Sequence, residues 1–369
     1  KPKNLSLTIQ TSKSPDMIFA RINPSPVNKH NQRIFTIYRM IPISRLLSIF
    51  SNVSMPSEEV ILHYSKHWMK NFSKIVITEE NLYNFRGNPE EGRRYLSQGL
   101  DAADLTINMI QYIELQDRIG YEYIYKNLFS RNIGNCPYVF RFGNKLADTN
   151  TIRMIPWLYD LENTIEFQNI FQNEDIPVFL DIGGGYGEFA RLLLSNYDAK
   201  LILIDLPESN CLASYYLSRN FPEKKFFLYD DYCKKNILTK SDILDNDILI
   251  LPNHTRFDDD ITFDFSMNSR SMMEMNRDAI LYYFNLVQKH SKVDSLFLNI
   301  NRYQKNSVGE KIRIAEYPYD NLWQTIISKP LEMERHIHML LTKRLPDYLN
   351  CDIYSKLDIV NELGRAYYD

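Results

Sequence analysis

The sequence predicts a parallel, doubly wound α/β sheet preceded by a mainly helical region. Three observations carry that expectation. From Pro177 onward short apolar runs alternate with helical stretches, the mark of βαβ units. Glycine is rare, 12 in 369 residues against a usual share of about 7%. Four of the twelve, Gly183, Gly184, Gly185 and Gly187, nevertheless fall within five positions. They sit between an apolar run and a helical stretch, where a backbone turns sharply or approaches something closely.

Taken in order, residues 1–55 read as irregular. Pro15, Pro24, Pro26 and Pro42 punctuate them, with short β-like runs at Leu5–Ile9 and Ile34–Tyr38. A helix is expected from Ser57, which can cap it. Glu58 and Glu59 suit its first turn, and Val60, Ile61, Tyr64, Trp68 and Phe72 recur at helical spacing. Further helices are expected over about 105–128 and 152–171, with a turn-rich link at Asn135–Leu146. The expected strands are Val178–Ile182, Leu201–Leu206, Phe226–Tyr229, Ile248–Leu251, Phe263–Met267, Leu296–Ile300 and Arg335–Leu341. Between several of them lie helical stretches at Glu188–Asn196, Ser209–Asn220 and Arg277–Gln288, and the tail after Pro346 reads as helical. The implied division is a helical region over 1–170, a sheet domain over 171–345 and a tail over 346–369.

Composition narrows the function. The chain carries 43 Lys+Arg against 46 Asp+Glu, a net charge of −3. That gives no electrostatic case for nucleic-acid binding. Hydrophobic residues make up 44%, enough for a sizeable core and too many for a disordered chain. No stretch has the apolar length of a membrane span. The four cysteines, Cys136, Cys211, Cys233 and Cys351, form no C-x-x-C pair, so no zinc or redox motif is expected and a cytoplasmic location is.

The first expected strand runs into Asp181-Ile-Gly183-Gly184-Gly185-Tyr186-Gly187. Such a loop lets backbone turn beneath a ligand and aims helix N–H groups at it. The dinucleotide fingerprint would place glycine at 188, where Glu188 stands. A carboxylate there opposes a pyrophosphate and tolerates a ligand without phosphate. The second expected strand ends in Asp205-Leu206-Pro207, the position of an acid that accepts ribose hydroxyls. Together these imply an adenosine without phosphates, and S-adenosylmethionine fits.

The blocks Asp181–Phe189, Ile204–Glu208, Phe263–Met275, Tyr282–Phe284, Leu298–Arg302 and Tyr317–Trp323 resemble the seven-stranded, Rossmann-like S-adenosylmethionine-dependent methyltransferases. More narrowly, they resemble a bacterial family of sugar O-methyltransferases, over about residues 135 to 342. Met272-Met273 depart from the family pattern before Glu-Met, and Phe226–Asp247 is longer than usual. The resemblance implies methyl transfer to a sugar hydroxyl, in surface polysaccharide or its precursor; the alternatives are a non-sugar small-molecule or peptide acceptor, or a non-catalytic cofactor-binding partner subunit. It implies cofactor contacts from Asp181, Gly183, Gly184, Gly185, Tyr186, Gly187, Asp205, Leu206, Asn253 and Asn268. The helical N-terminal half is then expected to act as a lid, to contact the acceptor or to form a homodimer.

A sugar hydroxyl is a poor nucleophile, so a base or a metal has to take its proton. At the carboxyl edge of the sheet the candidates are Glu274 and His254, with Asp230 and Asp231 behind them. Glu274 is equally readable as a helix-start acid, and His254 as a hydrogen-bonded loop residue. Ser269, Arg270, Tyr319 and Trp323 are expected to meet the acceptor. Arg270 can clamp an anionic sugar or pair with Glu274 four residues on, and the two aromatics can stack on a sugar or pack. Asp258–Asp260 can be read as a metal-binding cluster but more readily as a solvated loop, and His336 with His338, two apart on one strand face, as a pair of metal ligands but more readily as a polar strand face. A divalent metal is compatible with the chemistry, and no ligand set points to one.

Overall fold

A computed structural model of the protein describes residues 41–52, 78–87, 102–172, 174–305 and 310–347. The runs expected at Leu5–Ile9 and Ile34–Tyr38, the helix from Ser57 and the tail after Pro346 lie outside the described residues. The central sheet has eight strands, one more than expected. They are β1 (Val178–Ile182), β2 (Lys200–Asp205), β3 (Phe226–Phe227), β4 (Ile248–Pro252), β5 (Phe263–Ser269), β6 (Ser291–Arg302), β7 (Trp323–Pro330) and β8 (Ile337–Arg344). The spatial order is β7-β8-β6-β5-β1-β2-β4-β3.

The six strands from β6 to β3 are mutually parallel, while β8 is antiparallel to both β6 and β7. β1 is flanked by β2 and β5, so the chain winds away on one side and crosses back to the other. The crevice at the carboxyl ends of β1 and β5 is therefore a topological switch point, where ligands bind in such sheets. β7 escaped the sequence reading because Trp323–Pro330 shows no clean alternation, ends in a proline and carries a bulge between Thr325 and Ile327. Those are properties of an edge strand.

Side chains alternate between two apolar layers. Phe179, Leu201, Leu203, Ile250, Phe265 and Leu298 face one; Leu180, Ile202, Leu249 and Phe297 face the other. The described helices are α1 (Ile43–Asn52), α2 (Glu79–Tyr83), α3 (Ala102–Ile119), α4 (Tyr121–Asn127), α5 (Thr149–Glu162), α6 (Ile165–Asn169), α7 (Glu188–Asn196), α8 (Pro207–Asn220), α9 (Tyr229–Tyr232), α10 (Lys240–Asp245) and α11 (Arg277–His290). The single helix expected over 105–128 is two, broken at Gly120, whose φ is +85°. α7 and α8 cover the first layer together with the N-terminal helices, and α11 covers the second.

The N-terminal helices are anchored by buried polar contacts as well as by apolar area. Asp148 caps α5 by accepting from the Thr151 N–H at 2.8 Å. The Thr151 hydroxyl donates to Glu188 Oε1 at 2.7 Å. Glu188, on the first turn of α7, also receives Arg191 Nη2 at 2.7 Å and the Tyr216 hydroxyl. All five residues are buried. Burial alone would raise the Glu188 carboxyl, but the Arg191 charge and these donors hold it below the usual carboxylate range. Beside it, buried Arg86 pairs with Asp148 and lies over the Tyr186 ring at 5.3 Å. At the other end of the sheet Arg45 of α1 reaches Asp230 at 2.8 Å and Asp231 at 2.7 Å.

Removing one partner of a buried ion pair typically costs about 3–5 kcal/mol. Glu188→Ala should therefore lower unfolding free energy by about that much in urea denaturation. Thr151→Val, which removes one donor to a charged acceptor, should cost about 1.5–3 kcal/mol, with Thr151→Ser recovering most of it.

Candidate functional site

The glycine loop closes directly on the switch point. Gly183 has a φ of +68° and donates its N–H to Ile204 O at 2.8 Å. A side chain there would also collide with Ser271 Oγ, so the loop lies flat against the turn that follows β5. Gly185, with a φ of +60°, is different: a Cβ on it would meet nothing within 4 Å. The room above Gly185 is where a ligand can sit.

Two acids share this edge. Asp205, at the end of β2, accepts from the Gly185 N–H at 2.8 Å through Oδ2 and from the Leu206 N–H at 2.6 Å through Oδ1. Each carboxylate oxygen has a second lone pair, so Asp205 is oriented and still able to accept. Burial pushes it up to about 7, against the pull of Leu206, Gly185 and Ser209. Asp181 is buried against Gly184. Burial, then the neighbouring Asp205 charge, pushes it up to about 8.

On the far side of Asp205, the Asn253 N–H donates to Asp205 O at 3.0 Å. Asn253 Oδ1 stands 3.3 Å from His254 Nδ1. Asn210, which the sequence did not single out, bridges Asp205 O and Leu251 O at 3.0 and 2.7 Å. Leu206, Asn253 and His254 thus gather at one end of the crevice.

Asn268 is fully buried at the end of β5. Its amide donates to Ile182 O at 2.7 Å and to Ser271 Oγ, while its carbonyl accepts from the Met272 N–H at 3.1 Å and from Asn301 at 2.9 Å. Asn301 in turn accepts from the Met273 N–H at 3.0 Å. Asn268 therefore holds the 270–274 turn against the glycine loop rather than facing the crevice. Ser271, Asn299 and Asn301 belong to the same network and were missed as site residues. Polar residues at alternate positions of the apolar second half of β6 were the signal for the last two. Glu274 ends the turn, with its N–H on Ser271 O at 2.9 Å.

Other expectations are corrected. Arg270 does not pair with Glu274. Its Nη1 lies 2.8 and 2.7 Å from the two carboxylate oxygens of Glu334, 64 positions away in the β7–β8 turn. Tyr186 turns into the interior, packed edge-on to Phe85 and Tyr216 and accepting from Asn150 at 3.0 Å. Tyr319 packs against Phe284 at 4.7 Å and receives the Asn299 amide. Trp323 pairs in register with Arg344, seven positions from the Ile337–Arg302 pair at the crevice edge. That separation is roughly 23 Å along a strand. Both aromatics pack, partly buried, against the α11 layer.

Asp230 and Asp231 are taken up by Arg45, Asp259 by Lys289, and His338 Nε2 stands 2.9 Å from Ser328 Oγ. Among the described residues no group of three or more His, Cys, Asp or Glu gathers to hold a metal, and no helix is long and apolar enough to cross a membrane.

No family model and no curated protein matches the chain. Among solved structures it is similar to the ribosomal protein L11 methylase of Lactobacillus delbrueckii subsp. bulgaricus, at 13% identity over 54% of this chain and 82% of that one, with a TM-score of 0.32. It is similar to the mitomycin 7-O-methyltransferase MmcR at 12% identity, over 53% and 57% of the two chains, TM-score 0.30. The third is the glycopeptide N-methyltransferase MtfA complexed with S-adenosyl-L-methionine, at 13% identity over 47% and 90%, TM-score 0.29.

Carboxyls raised in the folded state favour folding while protonated, and that contribution is lost as pH rises through the folded values. From Asp181 and Asp205 the ligand-free protein should lose stability between about pH 4, where an unfolded aspartate titrates, and about pH 8. Asp181→Asn should flatten this slope in thermal unfolding measured across that range.

Proposed function

We propose that the protein is an S-adenosylmethionine-dependent methyltransferase that methylates a hydroxyl oxygen, with a sugar or glycan as acceptor. One observation carries the reading. At the switch point, open space over Gly185 lies beside an acid, Asp205, that the glycine loop itself holds in place. That combination suits a ribose diol. Asp205 in its carboxylate form is negative and opposes a phosphate at this edge. The same features separate this ligand from a dinucleotide.

When bound, S-adenosylmethionine supplies a methyl group on a positively charged sulfur. The chain's own residues do the rest. Asp205 accepts the ribose hydroxyls. Gly183, Gly184, Gly185 and Gly187 form the floor, with Asp181 beneath Gly184 and the Tyr186 ring anchoring the loop from inside. Leu206 and Asn253 flank the base end, and Asn268 supports the floor from β5. Ser269 and Arg270 face the acceptor side. As the new C–O bond forms and the methyl–sulfur bond breaks, its electron pair staying on the sulfur, the hydroxyl proton passes to Glu274 or His254, the two candidate bases. Residues 171–345 form the catalytic unit in this reading, and the helices before it cover the edge of the crevice. The cytoplasm, where the cofactor and activated sugars meet, is the proposed location.

The test uses purified protein, methyl-labelled S-adenosylmethionine and mixed glycan acceptors, with and without a chelator. Label in saccharide is expected. Label only in aromatic or peptide acceptors would overturn the sugar assignment, and no cofactor binding would overturn the enzyme. Asp205→Ala should weaken cofactor binding at least about 100-fold, the scale of losing a charge-assisted pair of hydrogen bonds. Because the carboxylate form of Asp205 is the acceptor, wild-type affinity should fall as pH drops below about 7. Asp205→Asn should bind weakly and without that pH dependence.

A further inference from the structure

Arg270 is an outlier in three respects. Its φ is +67°, in the left-handed region that is unfavourable for a residue with a side chain. Its backbone is nonetheless fixed, the N–H donating to Ile300 O at 2.7 Å. It adjoins Ser271, whose Oγ lies against Gly183, so it stands at the wall of the glycine loop. Strained residues that the surrounding fold over-determines cluster at ligand sites.

Its partner is just as informative. Both contacts to Glu334 fall on Nη1. Glu334 thus does not use the guanidinium's parallel fork, the arrangement that grips a carboxylate best. The pair is largely withdrawn from water, with side-chain exposures of 19% and 11%, a setting in which desolvation offsets much of the attraction. Glu334 comes from the turn joining β7 and β8, not from a strand. It also lines a cleft with Arg118, Arg153, Asp160, Lys329 and Glu332. Arg118 in that cleft already holds the neighbouring Glu332 at 2.7 Å. A Glu334 carboxylate leaving Arg270 enters a cleft whose cations Arg118 and Lys329 also serve Asp160 and Glu332.

We propose that Arg270 is a carboxylate-binding residue of the active crevice, and that Glu334 is a built-in stand-in which yields to the carboxylate of an incoming ligand. This rests on the methyltransferase reading. It adds a ligand chemistry: a carboxylate, from the amino-acid end of the cofactor or from an acidic sugar acceptor. Exchange of Glu334 for the ligand keeps the Arg270 guanidinium paired throughout.

Calorimetric binding of S-adenosylhomocysteine and of 5′-methylthioadenosine, which lacks the amino-acid end, distinguishes the sources. So does methyl transfer to glucuronate against glucose. If the cofactor supplies the carboxylate, Arg270→Met weakens S-adenosylhomocysteine about 10- to 100-fold and leaves methylthioadenosine unchanged, while Glu334→Gln tightens S-adenosylhomocysteine. If the acceptor supplies it, both adenosyl probes ignore the variants. Arg270→Met then abolishes a preference for glucuronate that Glu334→Gln enhances. Should Arg270→Met fail to fold, the Glu334→Gln arm decides alone. Equal effects on acidic and neutral probes, or none on either, overturn the inference while leaving the function standing. Failure of the wild type to bind either adenosyl probe overturns both.

Discussion

The geometry of the crevice depends on a carboxylate that never faces it. Glu188 sits on the first turn of α7, immediately after the glycine loop, and points inward to Thr151, Arg191 and Tyr216. A helix start would ordinarily offer its positive end to an anion in solution. Here the anion is internal and immobile. It joins the first turn of α7 to the first turn of α5, so the N-terminal helices and the ligand loop share one anchor. The Tyr186 ring, packed between Phe85 and Tyr216, fixes the same loop one residue upstream of Gly187. Rotation of the loop would have to break both contacts at once.

Against that rigid back wall, the front of the site is built from groups held in unfavourable states. Asp181 and Asp205 are two acids packed close together, the first buried and the second half-buried, each titrating well above its ordinary range. Arg270 occupies a backbone conformation that suits glycine. Natural folds concentrate such costs where a ligand is to be recognised. The eight-stranded sheet around them, with its two apolar layers, supplies the stability that lets them persist.

How much of this was legible in the sequence depends on how local its cause was. β1 and α7 coincide with the expected Val178–Ile182 and Glu188–Asn196, because an unbroken apolar run and a glycine loop set their bounds through adjacent residues. The position of Asp205 followed from spacing in the same way. β7 did not, since an edge strand need not alternate. Tyr186, Tyr319 and Trp323 show the limit for aromatics: a ring that packs and a ring that binds have the same sequence appearance, and the neighbours of each ring come only from the fold. Arg270 shows the limit for charges. Local spacing offered Glu274, while the fold brought Glu334 across 64 positions.

The shape of β7 also bears on how copies of the protein behave toward one another. Among the described residues this strand is the open margin of the sheet, eight residues long, and an open margin of that length invites another chain to continue the ladder. The bulge between Thr325 and Ile327 interrupts its hydrogen-bond rhythm, Lys329 places a charge on it and Pro330 withholds an N–H. At the opposite margin β3 is only two residues long. The sheet is thus blunted at both ends, and a crowded solution of this protein is protected from the strand-by-strand stacking that begins fibrils.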